Sequence, residues 1–155
     1  MTATTSTLAA LAGALLIASL GTTAVAQTCE REPSNARLLV VVDGIRDARG
    51  TITASLYTND GMFLKSNGSL KVWRAPAHAG SETMCVWLPG PGVYAVAVYQ
   101  DVNANKKIDH NLLGPTEPWG FTNNPHALFA LPSFGSVRFT AHAGDNTVHI
   151  KLNNP

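Results

Sequence analysis

Short apolar runs recur along most of the chain, and clusters of glycine, proline, asparagine and aspartate separate them. Within several runs apolar and polar residues alternate, which is typical of a β-strand that buries one face. After residue 26 no stretch predicts an amphipathic helix of useful length. The runs predict strands over residues 37–42, 50–58, 70–73, 83–88, 93–100, 136–141 and 147–152.

These strands predict an all-β domain over residues 37–155, an antiparallel two-sheet sandwich of about seven strands. The run 93–100 is apolar on both faces, so we expect it to be the central strand. The sequence Gly-Asp-Asn at 144–146 predicts a hairpin between the last two strands. Residues 101–133 form one long loop, and because this loop contains Trp119, Phe121 and several prolines, we expect it to be an ordered cap.

The first 26 residues contain no charged side chain. Residues 8–20 are apolar, and Ala24-Val25-Ala26 has the A-x-A form of a signal cleavage site. The apolar run is shorter than the roughly 20 residues that span a membrane. We therefore expect a signal peptide over residues 1–26, an N-terminal arm over residues 27–36 and a secreted or periplasmic protein.

The formal net charge is +1, and the charged residues form no basic cluster. Nucleic acid and an anionic membrane surface both require such a cluster, so neither is expected as a partner. No membrane insertion is expected once the signal is cleaved. Two cysteines, Cys29 and Cys85, remain in the exported chain, and an even pair in an oxidising compartment predicts a disulfide. The expected partner is an unknown protein or a glycan.

The segment LPGPGVYAVAVYQD resembles the entry into a buried strand of transthyretin-like sandwiches, where a tyrosine hydroxyl bonds to nearby backbone. Tyr94 would take that role, and the alternative is an ordinary core tyrosine. Three further segments, DVNANKKID, LGPTEPWGFTNN and LPSFGSVRF, resemble in this order the signature segments of an exported bacterial family, domain of unknown function 2141. The resemblance covers residues 38–152. It implies a transthyretin-like or immunoglobulin-like β-sandwich in the bacterial cell envelope, and it implies no activity.

The segment DVNANKKID has oxygen-bearing side chains at the alternating positions that a calcium loop uses. The candidate ligands are Asp101, Asn103, Asn105, Lys107 through its carbonyl, Asp109 and, from outside the segment, Glu117. Two features of calcium loops are missing, because Lys106 stands in place of the usual glycine and Leu112 in place of the last glutamate. The alternative is a polar turn without an ion, in which these side chains bond to backbone N–H groups.

A second candidate site lies in the segment GFTNNP and the tryptophan before it. Trp119 and Phe121 offer aromatic faces, and Asn123 and Asn124 offer amide groups, which suits a sugar or a peptide backbone. The alternative is that both aromatic side chains are buried under the cap while the asparagines form turns.

No catalytic residue is assigned, because the sequence contains no paired-histidine metal motif, nucleophile elbow or phosphate-binding loop. We expect an exported non-catalytic binding or envelope-associated module, with calcium as its candidate cofactor. One alternative is a small secreted hydrolase that uses Asp101, Asp109 and Glu117 as acid and base. Another is a structural domain that pairs with a partner through a sheet edge.

Overall fold

The computed structural model describes Cys29, residues 34–126 and residues 131–155. The signal peptide predicted over residues 1–26 and most of the arm predicted over residues 27–36 lie outside these. The strands are β1 (Ala36–Ile45), β2 (Thr51–Tyr57), β3 (Lys71–Pro76), β4 (Gly80–Trp87), β5 (Gly92–Asp101), β6 (His110–Asn111), β7 (Gly114–Pro115), β8 (Trp119–Phe121), β9 (Phe139–Ala141) and β10 (Gly144–Lys151). One helical turn, α1 (Phe134–Val137), and one 3-10 turn, Asp60–Met62, complete the described elements.

The strands form two main sheets. In the first sheet the order is β10-β1-β4, and in the second it is β3-β2-β5-β8, with β9 beside the start of β5. A single core contains side chains from both sheets, including Leu38 and Val40 of β1, Ile52 of β2 and Val96 of β5. This architecture confirms the predicted all-β sandwich. Among the described strands, β1 and β10 run parallel, whereas the other pairs are antiparallel.

Alternation along each strand decides which face joins the core. In β1 the side chains of Leu38, Val40 and Val42 are fully buried, and the residues between them are only half buried. Complete burial of one such side chain stabilises the fold by roughly 1.5–3 kcal/mol. Strand β5 lies between β2 and β8, which agrees with its predicted central place.

The hairpin predicted between the last two strands is wrong. Strand β9 pairs with β5 in the second sheet, whereas β10 pairs with β1 in the first. The chain crosses between the sheets at residues 142–143, and the side chain of Asn146 holds this crossing. Its Oδ1 accepts from the His142 N–H at 2.8 Å, and its Nδ2 donates to the His142 carbonyl at 2.9 Å.

The strand predicted over residues 136–141 is also shorter than expected, because the chain is helical at Phe134–Val137. Phe134 and Val137 are both buried, and residues three apart share one face of a helical turn. The helical turn therefore buries both side chains. In a strand, two residues three positions apart would point to opposite faces of the sheet.

Two predicted local features are confirmed. The Tyr94 hydroxyl donates to the Gly90 carbonyl at 2.9 Å, which is the tyrosine-corner arrangement. Cys29 forms a disulfide with Cys85 of β4, with Cα atoms 4.5 Å apart. Among the described residues no helix is long and apolar enough to cross a membrane.

Part of the long predicted loop joins the second sheet as β8. A β-carbon on Gly120 would lie 2.7 Å from the Lys151 carbonyl oxygen, so only glycine lets β8 approach the end of β10 this closely. On the outer face of the second sheet, a smaller apolar cluster includes Tyr57, Phe63, Phe121 and Phe134. This cluster lies beside a groove on the same face of the sheet.

Candidate functional site

An aromatic groove lies on the outer face of the second sheet, and strand register creates it. Ser55 of β2 faces Ala97 of β5, so two small side chains lie side by side. Ala97 also pairs with Phe121 of β8, and the neighbouring pair joins Tyr99 to Trp119. Small residues therefore form the floor, and larger aromatic side chains stand around it.

The groove has a volume of about 530 Å³. Its wall also contains Tyr57 from the end of β2 and Ile108, His110 and Pro115 from the loop that follows β5. The rings of Trp119 and Phe121 are 5.5 Å apart in an edge-on arrangement. The result is a concave surface that is mainly apolar, with hydroxyl, imidazole and indole N–H groups on the residues that line it.

The groove carries little charge. Burial raises the pKa of both Tyr57 and Tyr99, so their hydroxyl groups stay neutral through the physiological range. His110 is the other titratable residue in its lining. An uncharged apolar ligand therefore meets no desolvated charge in this groove.

The second candidate site, residues 101–117, is hereafter the 101–117 loop. The Asp101 side chain is completely buried at the end of β5. Its Oδ1 accepts from the Asn105 N–H at 2.9 Å, and its Oδ2 accepts from the Lys106 N–H at 2.7 Å. Lys106 has a φ of +66°, so these bonds hold a left-handed residue where a calcium loop usually has glycine.

Glu117 closes the same loop from its far end. It is 5% exposed, and its two oxygens accept from the Val102 N–H at 2.8 Å and the Asp109 N–H at 3.0 Å. A carboxylate that accepts two backbone N–H bonds replaces the backbone partners that a tight loop lacks. The sequence pattern correctly grouped Glu117 with the DVNANKKID segment.

The amide side chains fill the middle of the loop. Asn103 Nδ2 donates to Asp109 Oδ2 at 2.7 Å, and Asn105 Nδ2 donates to Asp109 Oδ1 at 3.0 Å. The Asn105 Oδ1 accepts from the Lys107 N–H at 2.8 Å. The oxygens of Asp109 thus face N–H groups, which do not ligate a cation.

The described residues contain no group of three histidine, cysteine or acidic side chains placed to hold a metal ion. Calcium binding by Asp101, Asn103, Asn105, Lys107, Asp109 and Glu117 stays a prediction. The hydrogen bonds of the loop are those that the alternative, a polar turn without an ion, would form.

The predicted surface that joined aromatic rings to asparagine amides is divided in the structure. Trp119 and Phe121 line the groove. Asn123 Nδ2 donates to the Arg138 carbonyl at 2.9 Å, and Asn124 bonds to His149 and Lys151 of β10. The two asparagines, at positive φ, therefore form turns that tie the end of β8 to the chain around it.

Sequence reasoning missed the half of the groove that β2 and β5 supply. A signal was present, because Ser55 lies between buried residues of β2, and Ala97 and Tyr99 lie between buried residues of β5. The outward direction of these side chains could be read from this alternation. Which strands lie next to one another could not be read from it, because strand pairing depends on residues far apart in the sequence.

A polar cleft of about 400 Å³ lies on the other side of the 101–117 loop. Arg49 donates to the Asp47 carboxylate at 2.8 Å, and this bond lowers the pKa of Asp47 to about 2. The buried side chain of Gln100 donates to the carbonyls of Asp47 at 3.1 Å and Arg49 at 2.9 Å. In this cleft Asp47 and Arg49 are thereby paired with each other.

Comparison with known proteins gives one match. No curated protein and no solved structure matches the chain. The profile of a bacterial family, described as "Uncharacterized protein conserved in bacteria (DUF2141)", matches residues 40–149. The matched range includes the 101–117 loop and the residues of the groove that come from β2, β5 and β8. The chain therefore belongs to the DUF2141 family.

Proposed function

We propose that the protein is an exported, non-catalytic binding module that holds an apolar segment of a partner protein in its aromatic groove. The groove carries the proposal, because it is concave, mainly apolar and walled by Tyr57, Tyr99, Trp119 and Phe121. Aromatic side chains supply large apolar contact areas with few rotatable bonds, and they dominate the energetics of protein interfaces.

A partner protein fits this chemistry better than a glycan does. A sugar requires several hydrogen-bonding groups beside the aromatic faces, and the amides of Asn123 and Asn124 are engaged elsewhere. Among the described residues that line the groove, the side chains with polar atoms are Ser55, His110, the two tyrosines and Trp119. Aliphatic or aromatic side chains from a partner would bury apolar surface without leaving polar groups unpaired.

A non-catalytic role is favoured over the hydrolase alternative by the state of the carboxylates. Asp101 and Glu117 are buried, and each accepts two backbone N–H bonds. Asp109 accepts from two side-chain amides. A general acid or base needs an oxygen that can reach a substrate proton, and these oxygens are engaged in holding the loop.

The test is to probe an array of short peptides and an array of oligosaccharides with the purified protein. We expect it to bind peptides that carry aliphatic and aromatic residues. Trp119→Ala should weaken this binding by about tenfold or more, as expected for a tryptophan at the centre of an interface. Ala97→Leu should also weaken it, because a larger side chain would fill the groove floor.

Trp87→Ala is the matched control, since Trp87 is a half-buried tryptophan of β4 in the other sheet. Melting curves of each variant check that the fold is retained. If peptides bind equally well to the wild type, Trp119→Ala and Ala97→Leu, the groove is not the binding site. If only oligosaccharides bind, the protein-partner proposal is wrong.

A further inference from the structure

The 101–117 loop ends in a small hairpin whose tip is apolar. Strands β6 and β7 pair His110 with Pro115 and Asn111 with Gly114, so Leu112 and Leu113 form the two-residue turn between them. Leu112 is 104% exposed and Leu113 is 96% exposed. Both leucine side chains therefore project into solvent as fully as they would in an extended chain.

Neither the turn nor the core requires leucine at these positions. Two-residue turns favour glycine, asparagine and aspartate, because these adopt turn conformations readily and are well hydrated. Here Asn111 Oδ1 accepts from the Leu113 N–H at 2.8 Å, so the preceding asparagine already supports the turn. An adjacent pair of fully exposed apolar side chains marks a surface that meets another molecule.

The fold also separates the charges of this loop. Its sequence contains three carboxylates, those of Asp101, Asp109 and Glu117, and two lysines, Lys106 and Lys107. The carboxylates accept N–H bonds within the loop, whereas both lysines are exposed. Within the part of the chain that the structure describes, neither lysine forms an ion pair. Asp101 and Glu117 are buried and Asp109 is half buried, so the fully exposed lysine and acidic side chains of the loop are its two lysines.

We propose that the Leu112–Leu113 tip docks on an anionic lipid surface, with Lys106 and Lys107 binding the phosphate groups of the lipids. A protruding tip of two leucines needs no shaped pocket in a fluid interface. Exposed cationic side chains in the same loop as an apolar tip match a layer in which anionic headgroups cover hydrocarbon. At the level of the sequence, the lack of a basic cluster argued against a membrane surface, but in the folded loop both lysines are exposed whereas two of the three carboxylates are buried.

Two leucines bury little hydrocarbon compared with a covalent lipid anchor, so the docking is reversible and depends on charge. The surface is distinct from the aromatic groove, although His110 and Pro115 of the same hairpin line the groove wall. Docking of the tip would bring the groove close to the membrane surface.

The test is co-sedimentation of the purified protein with sucrose-loaded vesicles at low salt. One set contains phosphatidylglycerol and phosphatidylcholine in equal amounts, and the other contains phosphatidylcholine alone. We expect the partition coefficient to be about tenfold or more higher on the anionic vesicles, because each lysine near such a surface favours binding by roughly fivefold. Raising the salt to about 0.5 M should reduce it, since the Debye length then falls well below its value of about 10 Å at 0.1 M.

Two double variants separate the contributions. Leu112→Ser with Leu113→Ser and Lys106→Gln with Lys107→Gln should each lower binding to anionic vesicles by about tenfold. The matched control combines Leu70→Ser with Lys65→Gln, which changes an exposed leucine and an exposed lysine away from the tip. Its partition coefficient should equal that of the wild type.

The proposal is overturned if the wild type stays in the supernatant with both vesicle types. Equal binding by the wild type and the leucine variant would overturn it as well. If the leucine variant keeps vesicle binding but loses binding to the peptide array, the tip contacts a protein and the lipid proposal is wrong. Melting curves of the four proteins should coincide, because all the changed side chains are exposed.

Discussion

Gly50 packs against Asp101 so closely that a β-carbon on residue 50 would lie 1.8 Å from the Asp101 carbonyl oxygen. Gly50 also has a φ of +69°, so two independent constraints require glycine immediately before β2. Because Asp101 begins the 101–117 loop, Gly50 contacts the base of that loop.

Gly50→Ala should lower the free energy of unfolding by about 3 kcal/mol or more, since backbone must move to relieve the overlap. Gly80→Ala is the control for strain alone, because Gly80 has a φ of +99° and no neighbouring atom within 4 Å. That control should cost only about 1–2 kcal/mol. Urea unfolding of both variants measures the difference, and equal losses would show that the close contact at Gly50 is unimportant.

Glu117→Gln tests whether this carboxylate holds the loop by accepting two N–H bonds. Glutamine has one acceptor oxygen, so either Val102 or Asp109 would face an amide donor instead. We expect a loss of about 1–3 kcal/mol in urea unfolding, the usual cost of an unpaired buried N–H group. Asp60→Asn changes an exposed carboxylate and should stay within about 0.5 kcal/mol of the wild type. A loss no larger than that of Asp60→Asn would mean that water replaces the bonds at no cost.

Melting in millimolar calcium and in excess chelator distinguishes the two accounts of the DVNANKKID segment. We expect coincident curves, because the carboxylate oxygens of Asp101 and Asp109 already accept N–H bonds. Binding at about 100 times Kd would instead stabilise the folded state by about 2.7 kcal/mol. A rise in Tm with calcium that Asp101→Ala removes would support the calcium site and contradict the ion-free turn.

Asp47 gives a prediction about pH. Its pKa is lowered from 3.8 to about 2, mainly by the side-chain hydrogen bond from Arg49. A carboxyl with a lowered folded-state pKa contributes stability above its unfolded pKa and loses it as the pH falls toward the folded value. This contribution should therefore disappear between about pH 4 and pH 2. NMR titration of the Asp47 carboxyl should show a midpoint near 2. In Arg49→Gln the midpoint should move to higher pH. An unchanged midpoint in this variant would show that the hydrogen bond from Arg49 does not cause the lowered pKa.

The strands were predictable because alternation is local information. The buried side chains of β1 and β5 stand at the positions that the apolar pattern indicates. The pairing of the strands was less predictable. In β10 exposed His149 is followed by buried Ile150, and this alternation is the same whether β10 pairs with β9 or with β1. The helical turn at Phe134–Val137 was missed because its β-branched and aromatic residues also suit a strand.

The candidate surfaces also differ in how far the sequence could predict them. The 101–117 loop could be predicted, because its bonds join residues close in sequence, such as Asp101 to Lys106. The groove could be predicted only in part, because Ser55 and Ala97 lie 42 positions apart in the sequence and their contact depends on register. The exposed tip required the fold, since nothing in the sequence states that Leu112 and Leu113 form a turn.

The parallel pairing of β1 with β10 places the first and last strands of the domain side by side. During synthesis, the hydrogen-bonding groups along this edge of β1 have no strand partner until residues 144–151 have been made. The first sheet is therefore completed only after the residues of β10 have been made, so its formation requires almost the whole length of the domain.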